Sequence, residues 1–130
     1  MEGATEMESY FIDKKHEDRL LSLMVADNTH VGDAERISLF YIISGNEDLY
    51  AKRRAIYDFK DHCIKHCTQD REVDFSSGMY ALIRLGYNLY NGYQDHHTSP
   101  FSLFYCLDEQ NRKVAVNAIR LRFDGGLNFS

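Results

Sequence analysis

Proline and tryptophan are almost missing from this chain of 130 residues, which has one proline, Pro100, and no tryptophan. Disordered linkers are rich in proline and poor in apolar residues, whereas 44% of this chain is hydrophobic. No apolar run approaches the roughly 18 residues of a membrane span. The acidic, polar N-terminal residues also lack the basic and apolar regions of a signal peptide. The sequence therefore predicts one globular domain with no membrane partner.

Cysteine is scarce as well, and the chain has three: Cys63, Cys67 and Cys106. An odd number, with two cysteines only four residues apart, does not suit a disulfide scaffold. Free cysteines are typical of proteins from a reducing compartment. We therefore predict a cytoplasmic protein.

Positive charge is in deficit, because 15 Lys and Arg residues against 20 Asp and Glu residues leave a formal net charge of -5. Binding to nucleic acid depends largely on neutralising phosphates, so this balance argues against a nucleic-acid partner. Two basic groups keep a nucleic-acid-binding regulator open as an alternative: Lys52, Arg53 and Arg54, and Arg120 with Arg122. We expect these side chains to be solvated helix surface.

The fold class follows from helical spacing of apolar residues and from residues that cap helices. No segment shows the strict alternation of a half-buried strand. Side chains that can accept hydrogen bonds from a first helical turn precede the predicted helices: Asp13, Asp33, Asn46, Ser76 (or Ser77), Ser99 and Asp108. The segment from Glu47 to Cys67 is predicted as one helix, or as two with a break near Asp58. We predict an all-α, compact single-domain bundle of about five to seven helices over residues 10–124, with flexible tails at 1–9 and 125–130.

The predicted helix from Ser76 to Tyr93 carries two different faces. One has the spacing of a buried stripe: Met79, Leu82, Ile83, Leu89 and Tyr90. The other carries Tyr80, Arg84, Tyr87 and Asn91 at i, i+4, i+7 and i+11. Tyr and Arg often dominate the binding energy of protein interfaces, so these four residues are the predicted partner-binding face. The alternative is plain packing against another helix, with tyrosine hydroxyls at the rim.

Gly86 lies inside the same predicted helix. A glycine in a helix costs about 1 kcal/mol relative to alanine, so something must require it there. We predict that another helix approaches closely at this point.

The most chemical-looking cluster is His62, Cys63, His66 and Cys67. On a helix, the two histidines would share one face and so would the two cysteines, and either pair could supply two zinc ligands. The pairs are rotated by about 100° and cannot close a tetrahedron together. Further ligands would have to come from elsewhere, with His96, His97 and Cys106 as candidates. Since no second spaced pair is present, we predict no bound metal.

Acid–base catalysis would need neighbouring carboxylates, and Asp58 and Asp61 could face together on a helix. With His62 and His66 they define an alternative, a small metal-binding or hydrolytic enzyme. Such pairs are common by chance on acidic helices. The chain has no phosphate-binding glycine loop, nucleophile elbow, HExxH or CxxC motif. We therefore predict no enzymatic activity and no cofactor.

The chain resembles a family of small proteins of unknown function, found in Gram-positive bacteria and often on phages and other mobile elements. The resemblance runs from Phe11 to Phe123 and rests on five blocks in the same order: FIDKKHEDRLLSLM, SLFYIISGNEDLY, IYDF, SSGMYALIRLGYNLYNGY and LDEQNRKVAVNAIRLRF. The family supplies no catalytic residues, and its pattern does not include the histidine and cysteine cluster. The mobile-element setting implies a small protein that binds and blocks a host defence system. We expect a non-enzymatic protein-binding module that acts by steric occlusion of a host or phage protein.

Overall fold

The computed structural model describes residues 10–70 and 73–124. The two predicted tails, 1–9 and 125–130, lie outside the described residues. Within the described residues, the chain forms eight helices: α1 (Lys14–Asp27), α2 (Ala34–Ser44), α3 (Glu47–Ala51), α4 (Arg53–Ile56), α5 (Cys67–Asp70), α6 (Ser77–Asn91), α7 (Pro100–Tyr105) and α8 (Glu109–Phe123). One small antiparallel sheet joins β1 (Tyr57–Asp58) to β2 (Cys63–Ile64). The predicted all-α fold is confirmed. No described helix is both long and apolar enough to cross a bilayer.

The predicted capping residues begin six of these helices. In each case the capping side chain accepts a hydrogen bond from the backbone N–H three residues later, as expected for an N-cap. The caps are Asp13, Asp33, Asn46, Ser76, Ser99 and Asp108. Pro100 occupies the first turn of α7, where its missing N–H costs nothing. Local chemistry therefore fixes where most helices start.

The core is built around α2, which packs against α1, α6 and α8. Every residue from Ile37 to Ser44 is buried, in keeping with a helix that is apolar nearly all round. The predicted close approach at Gly86 is confirmed, since a Cβ there would lie 2.8 Å from Leu39 Cδ1. The absence of a side chain on α6 thus lets α2 pack tightly against it.

The segment after Asn46 differs from the prediction of one long helix. Two short helices end at Ile56, and the chain then turns back through β1 and β2. The Asp58 carboxylate accepts hydrogen bonds from the N–H groups of Lys60 and Asp61, both at 2.9 Å, and so closes the turn. His62 follows in the left-handed region with φ 57°. The predicted break near Asp58 is therefore correct, and the helical spacing assumed for His62 and its neighbours is wrong.

Candidate functional site

The predicted partner-binding face does not lie on the surface. Tyr80, Arg84 and Tyr87 are buried, and only Asn91 is exposed. Tyr87 donates to the Ile56 carbonyl at 2.7 Å, so the end of α4 covers this side of α6. The burial of these three side chains favours the alternative of packing within the chain. Partner binding by these residues stays a prediction, restricted to the atoms that reach a groove beside α6.

That groove, here called the α6–α7 groove, has a volume of about 570 Å³. Its lining comes from three parts of the chain, namely the start of α6, the α7 region and the segment before α6. The residues used below are Tyr80, Arg84, His97, Ser102 and Asp74. Tyr80 and Arg84, two of the four residues of the predicted partner-binding face, therefore line a groove instead of lying on open surface.

Arg84 is the most unusual side chain of the groove. Its side chain is only 9% exposed, and its Nε donates to Asp95 Oδ2 at 2.9 Å. The guanidinium also lies over the Tyr80 ring, with Cζ 5.7 Å from the ring centroid. Among residues 10–70 and 73–124, no acceptor bonds to either Nη of Arg84. Because no fully buried side-chain donor lacks a partner in this part of the chain, these Nη groups reach the groove.

Asp95 holds Arg84 in place and is itself fixed by several donors. Its carboxylate accepts from the hydroxyls of Tyr93 at 2.8 Å and Thr98 at 2.9 Å, and from the N–H of His97 at 2.8 Å. Burial alone would raise the pKa of Asp95, but these hydrogen bonds and the one from Arg84 together hold the pKa well below its usual range. Asp95 is therefore a charged, rigid anchor for the guanidinium.

A pair of exposed aromatic rings lies on α7, next to this groove. Phe101 and Tyr105 are 77% and 78% exposed, and their rings stack with centroids 5.7 Å apart. The other side of α7 borders a second groove of about 550 Å³, lined by residues that include Phe104 and Phe123. We call Phe101, Tyr105 and the two flanking grooves the α7 surface.

A second polar cluster surrounds Asp27, at the end of α1. The Asp27 side chain is 2% exposed, and its Oδ1 accepts from Tyr57 Oη at 3.0 Å and lies 2.7 Å from His62 Nδ1. Oδ2 accepts from the Thr29 hydroxyl at 2.8 Å and lies 3.6 Å from Arg36 Nε. Both carboxylate oxygens are thus fully used.

Arg36 completes the same cluster, and each of its three nitrogens has an acceptor. Nε donates to Tyr57 Oη at 3.0 Å, one Nη donates to Asp33 Oδ2 at 2.9 Å, and the other donates to the His62 carbonyl at 2.9 Å. The hydrogen bond with Tyr57 is the main reason why the pKa of Arg36 is raised. The network joins α1, α2 and the turn before β2.

The residues of the metal and hydrolase alternatives are dispersed by the turn. His62 is bound to Asp27, Cys63 is exposed, and Cys67 is buried at the start of α5. Among the described residues, no three His, Cys, Asp or Glu side chains are placed to share a metal ion. Asp58 serves the turn, where the hydrogen bond from Asp61 N–H is the main cause that lowers its pKa. The expectations that the protein binds no metal and has no enzymatic activity stay predictions.

The basic run of the nucleic-acid alternative is largely engaged in local contacts. Lys52 Nζ donates to the Asp74 carbonyl at 3.0 Å. The Arg53 guanidinium lies over the Tyr50 ring, 4.5 Å from its centroid, and Arg54 is exposed. On the last helix, Arg122 Nε donates to the Leu89 carbonyl at 2.9 Å. The contacts of Lys52, Arg53 and Arg122 therefore hold their helices against neighbouring segments of the chain.

Sequence reasoning missed Asp27, Arg36, Asp95 and the α7 aromatic pair. Asp27 meets Tyr57 and His62, which are 30 and 35 residues away, so no local pattern announces the cluster. The pair Phe101 and Tyr105 did have a signal, because two aromatics four residues apart follow Ser99-Pro100, a predicted helix start. What the spacing could not show is which side of so short a helix packs inward.

The chain belongs to a family whose model matches residues 6–128 and is described as a family of unknown function, DUF6075. The match spans the whole described region and so covers both polar clusters and the α7 surface. No curated protein and no solved structure gives a significant match.

Proposed function

We propose that the protein is a non-enzymatic protein-binding module and that the α7 surface is its contact surface. The observation that carries the proposal is the stacked, exposed pair of Phe101 and Tyr105. Large aromatic side chains dominate the binding energy of interfaces because they bury much apolar area at little entropic cost.

Two features support this surface over an isolated exposed residue. The rings are already stacked on each other, so little side-chain freedom is lost on binding. Grooves of about 570 Å³ and 550 Å³ lie beside the rings and can admit side chains of a partner. A partner can therefore meet a ridge and two depressions at once.

The mode of action that fits such a module is steric occlusion, in which the protein covers a working surface of its partner. The mobile-element setting implied by the family resemblance makes a host protein, for example a component of a host defence system, the partner of first choice. A cytoplasmic location belongs to the same proposal.

The test compares the double variant Phe101→Ala/Tyr105→Ala with Val25→Ala, which removes an equally exposed apolar side chain on α1, where Val25 is 81% exposed. Candidate partners are captured from host lysate with the wild-type protein, purified, and titrated against all three forms. We expect the double variant to bind about 30-fold more weakly or worse, corresponding to roughly 2 kcal/mol or more, with an unchanged melting temperature. Val25→Ala should bind like the wild type.

An equal affinity of the double variant and the wild type for every recovered partner would contradict the proposal. So would a comparable loss for Val25→Ala, because that result would point to general surface apolarity.

A further inference from the structure

We infer that the α6–α7 groove is a carboxylate-binding site in which the two Nη groups of Arg84 hold an acidic side chain of the partner. The inference rests on the proposed function for the source of the carboxylate. The chemistry of the site rests on the chain alone and can be tested without a partner.

The first argument is the incomplete hydrogen bonding of Arg84. A guanidinium has five N–H donors. Arg84 is more than nine-tenths buried, yet Nε alone has an acceptor in the part of the chain that the structure describes. The unused Nη edge presents two parallel donors, the geometry that matches the two oxygens of a carboxylate.

The second argument is that Arg84 is held rigid without a ligand. Asp95 fixes Nε, and the Tyr80 ring lies under the guanidinium. Tyr80 is fixed in turn, since its hydroxyl donates to the Val73 carbonyl at 2.9 Å. A pre-organised arginine loses little side-chain entropy when it binds an anion.

The groove also contains neutral donors beside the guanidinium. Ser77, the first residue of the 15-residue helix α6, lines it, so the positive end of the helix dipole is close to the groove. Ser102 lines it too, and its hydroxyl oxygen accepts from Ser99 Oγ at 3.0 Å, which leaves the Ser102 O–H as a donor. These groups favour a negatively charged ligand.

The charge of the surroundings selects a singly charged ligand. Arg84 is the only Lys or Arg among the described lining residues, Asp95 already shares its charge, and Asp74 also lines the groove. With a net charge of -5 on the whole chain, a doubly charged phosphate meets more repulsion than a carboxylate does. The ridge of Phe101 and Tyr105 beside the groove would place an acidic side chain of a bound protein over Arg84.

The experiment is an NMR titration of the full chain with sodium acetate, with acetamide as the uncharged analogue and inorganic phosphate as the dianion, all at constant ionic strength. We expect saturable shifts for the amides of Ser77, His97 and Ser102 with acetate, and none with acetamide. Arg84→Lys should weaken acetate binding about tenfold or more, because a lysine cannot present two parallel donors. Arg54→Lys, at an exposed arginine, should leave it unchanged.

Identical responses to acetate and acetamide would overturn the inference, as would acetate binding that survives Arg84→Lys. Tighter binding of phosphate than of acetate would overturn the assignment to a carboxylate. If Arg84→Lys does not fold, the comparison of acetate with acetamide on the wild type decides alone. Acetate binding together with full partner binding by Phe101→Ala/Tyr105→Ala would keep the site and remove the proposed docking surface.

Discussion

The part of the chain that the structure describes has two buried arginine–carboxylate clusters, and they differ in how completely they are bonded. Around Asp27, both carboxylate oxygens and all three nitrogens of Arg36 have partners. In the other cluster, Asp95 is fully bonded but Arg84 uses Nε alone. Burial runs the opposite way, because the Arg36 side chain is 30% exposed and that of Arg84 is 9% exposed. The more deeply buried arginine thus has the fewer hydrogen bonds.

On the binding site that we propose, this difference separates a structural role for the Asp27 cluster from a binding role for the Arg84 cluster. The Asp27 cluster connects α1, α2 and the turn before β2, and every nitrogen of Arg36 already has an acceptor within the chain. The Arg84 cluster faces a groove and leaves its Nη edge available. Donors that reach a groove can exchange water for a ligand, whereas donors already bonded within the chain cannot without breaking those bonds.

The largest expected effect comes from removing the carboxylate of the closed cluster. Asp27→Ala leaves Tyr57, His62 and Thr29 without their shared acceptor, removes the ion pair with Arg36, and should lower the free energy of unfolding by about 3–5 kcal/mol. Asp95→Ala should cost less, about 1–3 kcal/mol, because the Asp95 side chain is 25% exposed and water can replace its bonds. Urea unfolding of both variants measures the two losses. A larger loss for Asp95→Ala would reverse the roles assigned to the clusters.

Tyr87 offers the next comparison, because it shares a helix face with Arg84 but belongs to the closed interior. Its ring is fully buried and its hydroxyl lies 3.3 Å from Cys67 Sγ. Tyr87→Ala should therefore lower the free energy of unfolding by roughly 3–5 kcal/mol, as loss of a large buried aromatic does. At a temperature where the variant is folded, its affinity for a recovered partner should be close to that of the wild type. Weakened binding with unchanged stability would restore Tyr87 to the contact surface.

The sequence was most informative where the deciding contacts are local. A helix cap needs one side chain and an N–H three residues later, so Asp13 or Asp108 could be identified from the sequence. Gly86 likewise pointed to a close approach, although not to Leu39 as the neighbour. The turn at Asp58 was visible only as a break, since a carboxylate can cap a helix or close a turn with the same local bonds.

The candidate site was harder to predict because the accessibility of its side chains depends on which segments cover each side of α6. The spacing of Tyr80, Arg84 and Tyr87 put them on one face, and the structure keeps them there. One segment covers Tyr87, whereas the groove leaves the Nη edge of Arg84 accessible. Asp95, eleven residues after Arg84, holds the guanidinium across a loop, a contact that helical periodicity cannot show.

The central claim, that neither Nη of Arg84 has an acceptor among the described residues whereas each Nη of Arg36 has one, is tested most directly by hydrogen exchange of the arginine Nη protons, followed by NMR. We expect the Nη protons of Arg84 to exchange rapidly with solvent and to slow about tenfold or more when acetate saturates the groove, because a bonded donor must open before it exchanges. Acetate should leave the exchange of the Arg36 Nη protons unchanged, because each Arg36 Nη already has an acceptor. Exchange at Arg84 that acetate does not change, or an equal slowing at Arg36, would contradict the account.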